Sequence, residues 1–143
     1  MKKPFSIHPL FFGLFPVLYF YALNSWLFSL AGFFVAFFIV VALTLFLWLL
    51  TGALLKNYIK GAVITSVFLV VFFLFGPLNE VLNSPTGLQL PWHVPFLLIT
   101  VFLSGIFFVA SFFIIRTDMQ LDVLTRFLNV SASVLILLAL GNI

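Results

Sequence analysis

The sequence predicts an all-α membrane protein with five transmembrane helices, and three observations support that prediction. Of its 143 residues, 65% are apolar types and only 6% are charged, too few to cover a water-soluble domain. The charged residues fall mostly between long uncharged runs. These runs lack the alternation of polar and apolar residues typical of membrane β-strands, whereas helices satisfy their own backbone groups in hydrocarbon.

The first two predicted helices precede the internal lysines. The first, residues 9–24, is short and contains Pro16, which is expected to kink it. The second, residues 27–55, carries no charge. It exceeds the roughly 20 residues that cross a bilayer, which favours a tilted helix or a protruding end. We expect Asn24 or Ser25 to cap its amino end.

The third predicted helix covers residues 61–77. It begins after a polar segment that contains Lys56, Asn57 and Lys60, and it ends near Gly76-Pro77. The connection that follows, residues 78–93, carries Trp92 among several apolar residues, so we expect it to lie on the membrane surface.

The last two predicted helices cover residues 94–115 and 123–141. The turn cluster of residues 83–87 comes before the fourth helix, since its Asn, Ser, Pro and Gly residues favour turns. Asp118 or Asp122 is expected to cap the fifth helix. Residues 1–143 then form a single transmembrane domain.

The basic residues predict how the chain is oriented. With five crossings, all six lie on one side of the membrane, at Lys2, Lys3, Lys56, Lys60, Arg116 and Arg126. Because basic residues favour the cytoplasmic side, the amino terminus is predicted inside and the carboxyl terminus outside a multi-pass cytoplasmic membrane protein. The net charge of +3 suits this orientation and anionic lipids, and it indicates no nucleic-acid partner.

Small polar residues lie at helical spacing in the last two helices. They are Thr100, Ser104 and Ser111 in the fourth helix, and Thr125, Asn129 and Ser133 in the fifth. Such stripes usually face other helices, because small polar residues permit close approach and hydrogen bonding. A polar translocation path is the alternative interpretation.

Glu80 and His93 stand at the two ends of the predicted outer connection. A Glu–His pair can carry out acid–base chemistry, but polar residues at headgroup level explain the same pattern. His8 is predicted on the inner face, and the chain has no cysteine. We therefore expect neither a metal site nor a cofactor, and no catalytic residue is assigned within the chain.

Three patches resemble a known family. They are His8-Pro9-Leu10-Phe11-Phe12 with residues 15–18 and 21–24, residues 55–62 with 65–68, and residues 124–130 through to 141–143. Together they resemble the amino-terminal membrane region of bacterial sulfatase-like hydrolase/transferase proteins of the alkaline-phosphatase superfamily. Where that family has a glycine–histidine motif after helix three, this chain has Gly76-Pro77-Leu78-Asn79.

The resemblance implies that a catalytic domain follows this region on the outer side of the membrane. The family's metal ligands and nucleophile would lie beyond residue 143, so none maps onto this chain, and whether the protein is an enzyme stays open. The leading hypothesis is a membrane region that anchors and positions that domain and contacts a lipid-linked substrate.

Two alternatives remain. One is a small stand-alone membrane subunit that packs against a larger membrane partner through helices four and five. A homo-oligomer is a further possible assembly. The other is a component of a transporter or channel, which needs a polar cavity that the sequence barely supplies. Membrane lipids are the partners expected in every case.

Overall fold

The computed structural model describes residues 5–27, 29–84, 91, 93–117 and 121–143. These residues form five helices, α1 (His8–Asn24), α2 (Leu30–Leu54), α3 (Tyr58–Asn83), α4 (His93–Arg116) and α5 (Asp122–Leu140). The all-helical prediction is confirmed for this part of the chain. Several residues named above lie outside it, namely Lys2, Lys3, Trp92, Asp118 and residues 85–87.

The amino end of α2 is capped by a different residue from those predicted. Asn24 belongs to the end of α1, and its side-chain amide donates to the Phe20 carbonyl. The cap is Ser29, whose extended backbone lets its hydroxyl accept from the amide of Gly32. The prediction of Asn24 or Ser25 was wrong because α1 continues through Asn24 and the chain turns over the next residues.

Helix α3 is longer at both ends than predicted. Asn57 starts it early, because the side-chain oxygen accepts from the amides of Ile59 and Lys60 and so satisfies two free donors of the first turn. Pro77 lies inside the helix rather than at its end. A proline removes one helical hydrogen bond, yet the helix continues past it as far as Asn83. Residues 78–83 are therefore helical.

Helices α4 and α5 lie within one residue of their predicted bounds. Asp122 is the first residue of α5 rather than its cap, and the residue at the cap position, Leu121, makes no side-chain capping bond. A carboxylate in the first turn is still favourable there because it lies near the positive end of the helix dipole.

Helices α2, α3, α4 and α5 are long and apolar enough to cross a membrane. The large side chains on the surface are apolar, as shown by Phe38, Leu54 and Phe102, which are all more than 60% exposed. Several of the buried side chains are small and polar instead, an arrangement that suits lipid as the solvent. The protein is therefore a membrane protein.

Helix α1 is the exception in length. It has 17 residues, which span about 26 Å at 1.5 Å per residue, slightly less than the roughly 30 Å of a bilayer core.

The helices pack around α1 and α3. Helices α1, α2 and α3 contact one another, α5 packs mainly on α1, and α4 packs mainly on α3. Six successive residues of α3, Gly61 to Ser66, are buried, which places the core beside the first half of this helix. Helices α4 and α5 thus lie on separate flanks of the bundle.

Candidate functional site

Asn129 of α5 caps the amino end of α1 from across the bundle. Its side-chain oxygen accepts from the backbone amides of Ile7 and His8 at 3.1 and 3.0 Å, and its amide donates to the Phe5 carbonyl at 2.8 Å. Ile7, at the cap position of α1, provides no side-chain cap of its own. One side chain therefore satisfies three backbone groups and joins the amino-terminal turn of α1 to α5.

His8 extends this polar cluster to α3. Its Nδ1 lies 2.6 Å from the Ser66 hydroxyl oxygen, and its side chain is fully buried. Either tautomer satisfies this pair. The other ring nitrogen, Nε2, is buried with no hydrogen-bond partner among the described residues. A buried histidine–serine pair closed off from the surface is suited to holding α1 against α3, rather than to reacting with a substrate.

Three other buried hydroxyls lack a hydrogen-bond partner among the described residues. They belong to Thr44, Ser111 and Thr125. Thr44 lies against Gly13 of α1, where an added Cβ would stand 2.5 Å from the threonine oxygen. The absence of a side chain at Gly13 therefore lets α1 approach α2 closely.

The α2–α3 pair has its own polar contacts. The Thr51 hydroxyl donates to the Leu47 carbonyl at 2.7 Å and lies 3.1 Å from the Thr65 hydroxyl. A Cβ on Gly61 would stand 2.5 Å from the backbone nitrogen of Gly52. The two backbones are thus nearly in contact, an arrangement that only glycine permits.

The residues of the two predicted polar stripes lie in different environments, some buried and some exposed. In α4, Thr100 is exposed and donates to the Phe96 carbonyl, Ser104 is half-buried and Ser111 is buried. In α5, Thr125 is buried, and the half-buried Ser133 donates to the carbonyl of Asn129. The structure therefore brings Asn129 to α1, while the role of the stripes as a whole stays a prediction.

The other predicted site residues lie at the ends of the helices. Glu80 and His93 are exposed near the end of α3 and at the start of α4, and the proposed acid–base pair stays a prediction. Lys60 caps another helix, because its ammonium group donates to the carbonyls of Ile115 and Thr117 at 2.8 Å each. Such a cation is favourable at the negative end of α4.

An apolar cavity of about 970 Å³ opens between the helices, away from the His8 cluster. Its walls come from residues 12–21 of α1, 32–36 of α2 and 70–77 of α3, with Leu135 of α5. The lining has no charged side chain, and its only side-chain hydroxyls belong to Tyr19 and Tyr21. Such a lining fits hydrocarbon and offers no path for ions.

No protein-family model, curated protein or solved structure matches this chain. Within the described ranges, no group of three or more His, Asp or Glu residues could hold a metal ion.

The contact between His8 and Ser66 had no signal in the sequence. The two residues are 58 positions apart, and the patches of family resemblance that contain them do not indicate that they meet. The capping role of Asn129 was also missed, although its place in a polar stripe was recognised. The sequence around Gly13 and Thr44 does not indicate that they meet, because a close approach between two helices leaves no pattern along either helix.

Proposed function

We propose that this chain is a five-span region of a bacterial cytoplasmic membrane protein, with its amino terminus inside and its carboxyl terminus outside. It anchors and positions an extracytoplasmic sulfatase- or phosphatase-like domain and contacts the lipid-linked substrate of that domain. In this proposal α1 also spans the membrane, together with α2, α3, α4 and α5.

One observation supports this proposal above the others. Asn129 binds the amino-terminal turn of α1 from the second turn of α5, and both Phe12 of α1 and Leu135 of α5 line the cavity further along. The two helices therefore run in the same direction, so the carboxyl end of α5 and the amino end of α1 lie at opposite ends of the bundle. A domain attached after α5 would lie across the membrane from the amino terminus.

Cysteine labelling in intact cells tests this arrangement, because the chain has no native cysteine. Ser25→Cys and Asn142→Cys change exposed residues in the α1–α2 turn and after α5. Both are expected to react with a membrane-impermeant maleimide, whereas Lys56→Cys between α2 and α3 reacts only after the cells are broken. Labelling of Lys56→Cys in intact cells, or protection of Asn142→Cys, would contradict the proposed topology.

The anchoring role has a separate test. Sequencing the gene beyond the codon for Ile143 is expected to reveal a domain rich in metal-binding residues.

A stop codon at that point would favour the membrane-subunit alternative, for which α4 and α5 offer large exposed apolar faces. Size measurement of the purified protein in detergent would then detect a partner or a second copy. Ion or solute flux in reconstituted vesicles would favour a transporter.

A further inference from the structure

We propose that the apolar cavity between α1, α2 and α3 is a binding site for one acyl chain of a membrane phospholipid. This inference rests on the proposed function, because it names the place and the chemical class of lipid that the membrane region would hold. The acyl chain would enter sideways from the bilayer.

The cavity exists because the three helices are joined closely at only one end. Near the His8 cluster, Gly13 brings α1 against α2, and Gly61 brings α3 against α2. Towards the α1–α2 turn, Gly32 and Ala36 instead face the cavity, and a Cβ on Gly32 would meet only the Ser29 hydroxyl. The small residues at this end leave a space that no side chain of the described residues fills.

The two helical prolines lie on the wall of the same cavity. Pro16 and Pro77 both line it, as do Phe12 and Phe73, the residues four positions before them. Each proline leaves the carbonyl four residues earlier without its usual helical partner. The cavity therefore lies where α1 and α3 each lack one helical hydrogen bond.

The chemistry of the lining identifies the occupant as hydrocarbon. Aromatic and aliphatic side chains form the walls, and the rim residues Tyr19 and Phe20 are exposed on the apolar surface. An unfilled apolar space of this size forfeits dispersion contacts on every side. The walls come from three helices, so a flexible chain fits the space better than a rigid helix about 10 Å wide. Phospholipid chains are the most abundant flexible hydrocarbon at this depth.

Photocrosslinking tests the site directly. The full chain is reconstituted in vesicles of phosphatidylethanolamine and phosphatidylglycerol with a small share of phosphatidylcholine that carries a diazirine in one acyl chain. After irradiation, mass spectrometry maps the labelled peptides. We expect labelling to be concentrated on residues 12–21 and 70–77, well above that on residues 137–140, a largely exposed part of α5 outside the cavity lining.

A matched pair of variants on α2 separates a bound chain from the surrounding lipid. Ala36→Phe places a ring in the cavity, whereas Ala42→Phe adds the same ring at an exposed residue that does not line it. Ala36→Phe is expected to reduce labelling of residues 12–21 and 70–77 to the level at residues 137–140, while Ala42→Phe leaves it unchanged. A titration of the unmodified protein with the diazirine lipid in detergent needs no variant. Labelling of the cavity peptides should begin at a lower probe concentration than labelling of the reference peptide, and it should reach saturation.

Two results would overturn the inference. They are labelling in proportion to exposure on every helix, and no effect of Ala36→Phe together with a non-saturating titration. A failure of the proposed topology appears in the cysteine labelling instead, so the failures of the two proposals are distinguishable.

Discussion

The side chain of Asn129 supplies the amino-terminal cap that the residues of α1 themselves do not provide. The first turn of α1 has no capping side chain of its own, and its free amides would be costly in hydrocarbon. Asn129 supplies an acceptor for two of them and a donor for the Phe5 carbonyl. The stability of α1 therefore depends on α5.

Replacement of Asn129 by leucine, a side chain of similar size, should remove this cap. We expect the free energy of unfolding to fall by about 2 kcal/mol, since three hydrogen bonds of modest strength are lost and two amides lose their partner. Unfolding in mixed micelles of mild detergent and dodecyl sulfate measures the change. Asn83→Leu is the control, because Asn83 is exposed and its hydrogen bonds among the described residues stay within its own helix. Equal losses in the two variants would refute the capping role.

Gly13 and Thr44 form a second contact at the residue scale. Gly13→Ala places a methyl group 2.5 Å from the Thr44 hydroxyl oxygen, and we expect a loss of about 1–3 kcal/mol from this overpacking. Adding Thr44→Ala removes the clashing atom, so the double variant should recover most of that loss. A double-mutant cycle by micelle unfolding measures the coupling. Simple additivity of the two changes would show that the contact is not where the structure has it.

At the scale of the elements, the α2–α3 pair is defined by the approach of two backbones. Lys56 between the helices has a positive φ of 50°, which turns the chain sharply before Asn57 starts α3. The buried Thr65 and the half-buried Thr51 then meet across the pair. The connection and the close approach together fix the position of α3 at the centre of the bundle.

Gly61→Ala tests this approach. The added methyl group would stand 2.5 Å from the backbone nitrogen and 2.6 Å from the Cα of Gly52. Backbone atoms cannot move aside cheaply, so we expect a loss of about 3 kcal/mol or more. Gly105→Ala is the matched control, since no atom lies within 4 Å of the added Cβ. That variant should be unchanged or up to about 1 kcal/mol more stable, because alanine favours the helix. Similar results for both would contradict the predicted contact.

At the scale of the whole molecule, the bundle buries small and polar groups and presents bulky apolar ones. None of the charged residues in the described ranges is buried, and Lys60 and Arg116 lie near the end of α4, where Arg116 lies 4.6 Å from the ring of Phe112. This distribution suits a protein whose helix ends reach the headgroups while its sides face hydrocarbon.

The order of the helices in the bundle can be tested by disulfide crosslinking. The rings of Phe75 in α3 and Phe96 in α4 lie 5.3 Å apart, so the pair Phe75→Cys with Phe96→Cys should crosslink under mild oxidation. The pair Leu97→Cys with Leu138→Cys should not, because it joins exposed residues of α4 and α5, which lie on separate flanks. Gel mobility before and after reduction reports the result. Crosslinking of the second pair alone would require a different helix order.

The sequence by itself determined the class of the protein and the bounds of most helices. Runs of apolar residues without charge have one stable form in hydrocarbon, and polar residues end them, so α1, α4 and α5 were found within one residue of their ends. The third helix was misjudged because Pro77 was taken as its end, whereas a membrane helix tolerates a proline in its interior.

Only the tertiary structure decided which helices meet and what their contacts leave between them. The His8–Ser66 pair, the cap at Asn129 and the approach of Gly61 to Gly52 join residues that are distant in the sequence or that no local pattern marks. The cavity arises in the same way, from helices joined closely at one end of the bundle. Hydrocarbon favours an apolar surface on every helix, but it does not specify which helices pack together. Close packing of small residues determines which helices contact one another.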